Sequence, residues 1–144
     1  MKPATTESRD LAGRLIACEA VAASGPDFPL LVAAHVCEKL RRLLSTLTGV
    51  EGFRSILERA LTLTKSEIPS METLQVTPNG SLTGDLLESQ EPSAESGMHA
   101  EILVAHLLGL LITFIGRPLT LRFVEDIWPT VFRDHDPSGN EELT

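Results

Sequence analysis

Residues 27–48 carry the clearest hydrophobic period in the chain. Ala33, Val36, Cys37, Leu40, Leu43, Leu44 and Leu47 recur at intervals of three and four, while Glu38, Lys39, Arg41, Arg42 and Ser45 fall on the other side. That pattern predicts an amphipathic helix with one buried and one solvated face, and Asp27 is placed to cap its start. Upstream, Leu11, Leu15, Cys18 and Ala22 predict a first helix from Thr5 or Thr6 to about Ser24, ended by "SGPDFP" with Gly25 at its exit. Downstream, Phe53, Ile56, Leu57, Ala60, Leu61, Thr64 and Ile68 predict the inner side of a third helix, with Gly49 and Gly52 bracketing a short turn. Short connections between long helices favour antiparallel neighbours.

The pattern breaks at Pro69. Residues 69–97 are rich in proline, glycine, serine and acidic or amide side chains, which predicts a long irregular connection. Within it "TPNG", flanked by Val76 and Leu82, has the chemistry of a tight turn. A small β-hairpin over 74–83 is one reading, and a plain surface loop, favoured by turn statistics, is the other. Residues 85–97 read as acidic chain with too little apolar content to pack.

A second apolar block begins near Met98, with Ser93 or Ser96 as candidate cap and Glu95 near the positive end of the helix dipole. Its run from Ile102 to Gly116 has fifteen residues without a charge, between Glu101 and Arg117 and with His106 inside. A membrane-spanning helix needs about 20 apolar residues, so the run alone predicts no span. A helix apolar on every side must instead be surrounded by protein. Ala105, Gly109 and Thr113, at intervals of four, leave one side thin enough for a second backbone to approach closely. A central core helix is the simpler reading; a homodimer seam formed with Trp128 is the sharper one. After "GRP", Pro118 suits the first turn of a final helix. That helix turns Leu119, Phe123, Val124, Ile127 and Trp128 inward and Arg122, Glu125 and Asp126 outward, until Pro129 interrupts it.

Together these elements predict an all-α, single-domain bundle of about five helices: a three-helix part (5–68), the connection (69–97), a C-terminal helical pair (98–133) and a frayed tail (134–144). Tyr is absent, and five Phe and one Trp carry all the aromatic area, so an aliphatic core that suits helices is expected. The formal net charge of −8, with 12 basic against 20 acidic residues, disfavours nucleic acid and anionic membranes as partners. Cys18 and Cys37 both fall in helical segments rather than in a disulfide framework, and "MKPATTESRD" has no apolar signal core. A reducing cytoplasm is the expected location.

Candidate chemistry is sparse. His35 lies off the apolar stripe, with Lys39 and Arg42 four and seven residues on, a layout suited to phosphate. The segment "AAHVCEKLRRLL" loosely resembles the helix of histidine phosphotransfer domains. That family has a basic residue three positions after the His, followed by Gly; here Glu38 and Lys39 stand there. The resemblance implies His35 as phosphoacceptor. His99 and His106 share a helix face but form an incomplete metal set, as do Cys18 and Cys37, which fit better as small core residues. In the tail, Asp134, Asp136, Ser138 and Gly139 match the opening of a calcium loop, though Pro137 is awkward and Thr144, the last residue of this sequence, falls one short of position twelve. No signature for acyl or phosphoryl transfer, dinucleotide binding or metalloproteolysis is present. The expected function is therefore a non-enzymatic interaction or regulatory adaptor, without metal or cofactor. Its expected partner is a protein, including a second copy met through Ala105, Gly109, Thr113 and Trp128. Two alternatives are phosphotransfer through His35 and a ligand-binding bundle with a pocket lined by His106 and Arg117.

Overall fold

The computed structural model describes residues 6–23, 28–89 and 94–131. Its elements are α1 (Thr6–Ala23), α2 (Pro29–Glu67), a 3-10 turn (Pro69–Met71), β1 (Gln75–Val76), β2 (Leu82–Thr83), α3 (Leu86–Ser89), α4 (Ala94–Ile115) and α5 (Arg117–Ile127). The chain is thus predominantly helical, as the aliphatic composition predicts. Helices longer than one turn number four among the described residues, against about five expected. The difference lies in α2, where the expected second and third helices form one element with a single non-helical residue, Gly49 (φ 81°, ψ 161°).

That pair of angles is open essentially only to glycine. It also turns the chain. Residues 41 and 54 would stand about 20 Å apart along a straight helix. Instead, a methyl group in place of the Gly80 hydrogen would lie 3.5 Å from Arg41 Cδ and 3.7 Å from Arg54 Cα. The two arms of α2 therefore fold toward each other about Gly49, and the turn before β2 sits between them. Asp27, the expected cap, lies outside the described residues. The helix starts at Pro29 after an extended Phe28, with no side-chain cap. The first arm's stripe holds through Leu44. Leu47, expected inward, lies in the last turn before the reversal and is 54% exposed.

The connection after α2 is more ordered than its composition suggests. β1 and β2 pair antiparallel, with Val76 opposite Leu82 and Gln75 opposite Thr83. The turn between them is closed by the Thr77 amide donating to the Ser81 carbonyl (2.8 Å) and the Gly80 amide to the Thr77 carbonyl (2.9 Å). The hairpin forms and the plain surface loop, the favoured expectation, does not. Within 85–97, expected as unpacked chain, residues 86–89 are helical as α3 and α4 begins at Ala94, not near Met98, while 90–93 lie outside the described residues. The reason is apolar burial. Met71, Leu74, Leu82 and Leu87 are spaced so that each turn of this segment inserts one side chain into the core. Ser96 is buried within α4 and does not cap it; Ser93 is outside the described residues.

α4 packs most extensively on α2 and then on α1. It runs antiparallel to α1: Ser8 Oγ lies 3.6 Å from a methyl placed on Gly109, and Arg9 pairs with Glu101 at 3.3 Å. α5 turns back at Gly116 (φ 94°, ψ 153°), a second glycine-only elbow, and follows α1 from Glu7 toward Glu19. The core combines Leu11, Leu15, Leu40, Leu44, Phe53, Leu57, Leu103, Leu107, Leu108 and Leu111. By length and composition, with a mean hydropathy of 1.9, α4 is able to cross a membrane, so the length argument from the fifteen-residue run fails. Within this fold, 61% of its most apolar window is buried by the rest of the chain.

Truncating a fully buried side chain of this helix should cost far more than truncating an exposed one of similar size. Leu107→Ala is expected to lower the unfolding free energy by about 2–5 kcal/mol, and Leu47→Ala by less than about 0.5 kcal/mol, in urea titrations followed by circular dichroism. Equal losses would contradict the central position of α4.

Candidate functional site

Two polar clusters lie at the rim of the apolar fold, where the buried side chains of Glu19 and His106 meet their partners. In the first, the inward stripe of α1, which also includes Ser8 and Ala12, ends on Glu19, whose side chain is 7% exposed. Its Oε1 accepts the indole N–H of Trp128 at 3.1 Å and the ammonium of Lys39 at 2.8 Å. One carboxylate thus ties α1, α2 and the end of α5. Burying a charge is costly unless it is paired and hydrogen-bonded, and here both conditions hold. In the second, His106 is 3% exposed in the middle of α4, and its Nε2 lies 2.5 Å from Oε2 of Glu67, the last residue of α2. The pair closes the end of α2 onto α4. His99, one face-repeat earlier, is buried with Glu95 at 3.9 Å.

A third cluster joins the hairpin to the first arm of α2. Glu38 accepts the Arg41 guanidinium, with Nε at 2.6 Å, and the Ser81 hydroxyl at 2.9 Å. Partial burial pushes the Glu38 carboxyl up. The hydrogen bonds from Arg41 and Ser81, with the charges of Arg41 and Arg42, outweigh that and hold it below the usual value. Beside it, burial and then the Glu38 charge push the Cys37 thiol up to about 12. A thiol so protonated is a poor nucleophile.

These contacts decide where the sequence candidates stand. His35 is exposed on α2, and Arg42 is exposed as well, but Lys39 turns to Glu19 instead of the His35 face. Cys18 is half-buried, with its Sγ 4.0 Å from Thr130 Oγ1. Arg117 is exposed and bonds Glu7 at 2.7 Å through Nε, so it shares no pocket with the buried His106. The Arg117 hydrogen bond holds the Glu7 carboxyl below its usual value. An open recess of about 560 Å³ lies between α1 and α4, lined by Arg9, Asp10, Gly13, Arg14 and Glu101; its charges are already paired, Arg9 with Glu101 and Arg14 with Asp10. No group of three or more metal-ligating side chains is assembled among the described residues. The calcium-like tail, 134–144, lies outside them.

The proposed seam divides. Ala105 and Trp128 are buried, and Gly109 is half-buried with its thin side against Ser8 of α1. Thr113 is exposed, and next to it Phe114 is 63% exposed, the largest exposure of any big apolar side chain among the described residues. Glu19, Glu67 and Phe114 were not singled out from sequence. The first two look like ordinary helix-surface acids until the partner, 109 and 39 positions away, is in view. Phe114 is hidden within an uninterrupted apolar run. Compared with family models, with curated proteins and with solved structures, the chain has no match.

Removing the Glu19 carboxylate leaves the Trp128 N–H and the Lys39 ammonium without their partner. Glu19→Ala is expected to destabilise by about 1–3 kcal/mol and to shift the emission of the single tryptophan to the red; unchanged emission would mean that the indole does not depend on Glu19. For Glu38, a depressed folded-state pKa contributes stability that is complete above the unfolded carboxylate value and is lost as pH falls through the folded one. The stability difference between wild type and Glu38→Gln should therefore be constant above about pH 5.5 and shrink with acidification. A difference that grows toward low pH would reverse this assignment.

Proposed function

We propose that this chain is a non-enzymatic interaction module, of the regulatory or adaptor kind, that self-associates through the exposed end of α4. The observation that carries the reading is Phe114. α4 directs its other large apolar side chains largely inward, yet its last full turn presents a phenyl ring at 63% exposure beside exposed Thr113. The elbow at Gly116 brings exposed Arg117 and Pro118 next in the chain, and the Arg117–Glu7 pair anchors that elbow to α1. An aromatic ring set in a fixed, polar-rimmed surface has the character of an interface anchor. The surface is small, which suits a weak and reversible contact. The acid–base groups of the interior support the same reading: Glu19 and His106 are engaged in joining helices, and Cys37 is buried and protonated. In this scheme Ala105, Gly109 and Trp128 shape the helix that presents the ring, while Thr113 and Phe114 meet the second copy.

Light scattering after size exclusion tests this. The mass should rise from one chain toward two as concentration increases through the micromolar range, and Phe114→Ser should shift that rise to higher concentration with an unchanged unfolding midpoint. A mass of one chain throughout, or a concentration dependence indifferent to Phe114→Ser, would remove the reading.

A further inference from the structure

We infer that α2 is hinged at Gly49, and that two copies of this chain exchange α1 and the first arm of α2 by straightening there. The inference goes beyond the Phe114 contact and does not rest on it. Everything between Pro29 and Glu67 is helical except one residue, and that residue holds angles that side-chain-bearing amino acids essentially never adopt. A methyl on Gly49 would meet nothing within 4 Å, and the turn's side-chain contacts are local ones made by Thr48, whose hydroxyl donates to the Leu44 or Gly49 carbonyl, each at 3.1 Å, and which lies close against Gly52. The segment 45–53 contains no proline. The other elbow differs on this point: Pro118, two residues after Gly116, would clash with the carbonyl four residues back if α4 and α5 merged. Only the Gly49 elbow is free to become continuous helix, about 58 Å long over its 39 residues.

What the exchange would bury is already visible. Of the four large apolar side chains exposed among the described residues, Leu47 (54%) and Val50 (43%) flank the hinge. In a straight helix Leu43, Leu47 and Val50, at i, i+4 and i+7, form one apolar stripe. In the folded-back form the reversal at Gly49 interrupts that stripe, and Leu43 is only half-buried. Two straightened α2 helices passing each other at a two-fold axis would bring these stripes together. The contacts broken by opening are recovered between chains. The hairpin turn at Gly80 would lie against Arg54 of its own chain and the equivalent of Arg41 in the second copy, and Ser8 would meet the second copy's Gly109. Exchange of identical elements in this way leaves the hinge and the new crossing as the main changes in interactions. The new crossing favours the dimer here, and the strain that would drive the hinge is supplied only when Gly49 is replaced.

The test is Gly49→Ala, a substitution that meets no steric obstacle and acts on the backbone alone. It should raise the dimer-to-monomer ratio at a given concentration by at least about tenfold, the disfavour of Ala in a glycine-only region. To identify the exchange, Ser8→Cys and Gly109→Cys are added in a background of Cys18→Ser and Cys37→Ala, and the pair is oxidised with glutathione disulfide. Exchanged dimers give a covalent chain-to-chain band on a non-reducing gel, whereas side-by-side dimers give cross-linked monomers. If Gly49→Ala does not fold, the same cysteine pair on the Gly49 chain, refolded at high concentration, should yield the chain-to-chain band. Insertion of Gly-Ser-Gly after Gly49 should abolish it, since a longer hinge favours the closed form. A folded Gly49→Ala chain that stays monomeric, or cross-links only within chains, overturns the proposal; so does the absence of the chain-to-chain band from the refolded Gly49 chain. Phe114→Ser, which tests the other surface, should leave the exchanged dimer intact.

Discussion

The packing of α1, α2 and α5 around α4 is the constraint on which the rest of the fold depends. The most apolar window of α4 has a mean hydropathy of 1.9 and is 61% buried, so the position of this helix decides that of its neighbours. α1 presents Ser8, Leu11, Ala12 and Leu15 to the side thinned by Gly109, and that small residue lets the two backbones approach. α2 brings two arms instead of one, and the fold-back at Gly49 makes this possible. The hairpin fills the space between the arms with Met71, Leu74 and Leu82 close by in the same core.

The polar groups within this core fix the arrangement. Apolar surfaces alone permit a helix to slide or rotate at modest cost. Glu19 must meet both Trp128 and Lys39, and His106 must meet Glu67, each within hydrogen-bond range. A rotation of α1 by one residue would turn Glu19 by about 100° away from both partners. The helices are therefore packed by hydrophobic burial and indexed by two carboxylates near the C-terminal ends of α1 and α2.

How much of this was readable in the sequence depended on whether the cause was local. The stripes of α2 from Ala33 to Leu44 and from Phe53 to Thr64 follow from periodicity alone, and they were correct. The pairing of Val76 with Leu82 about "TPNG" was legible only as one of two readings, and turn statistics favoured the other, a plain loop. Leu47 was misread because periodicity cannot tell that the core ends one turn before a reversal. The start of α4 was placed late because Ala94–Gly97 is polar, and its helical state comes from docking rather than from propensity. Among site residues, His35 was rightly placed on an exposed face, but the turn of Lys39 toward Glu19 depends on a contact between residues 20 positions apart in different helices. Phe114 looked like core because nothing in an apolar run marks where its covering stops.

Gly116 has a consequence of a different kind. The α4–α5 elbow needs φ 94° and ψ 153°, which glycine alone supplies without strain, while Pro118 denies the chain the option of running straight on. Mutational drift at this position is closed off from both directions, although the residue carries no reactive group and touches no candidate partner. A catalogue of indispensable positions drawn up from reactivity would pass over it, and selection would not.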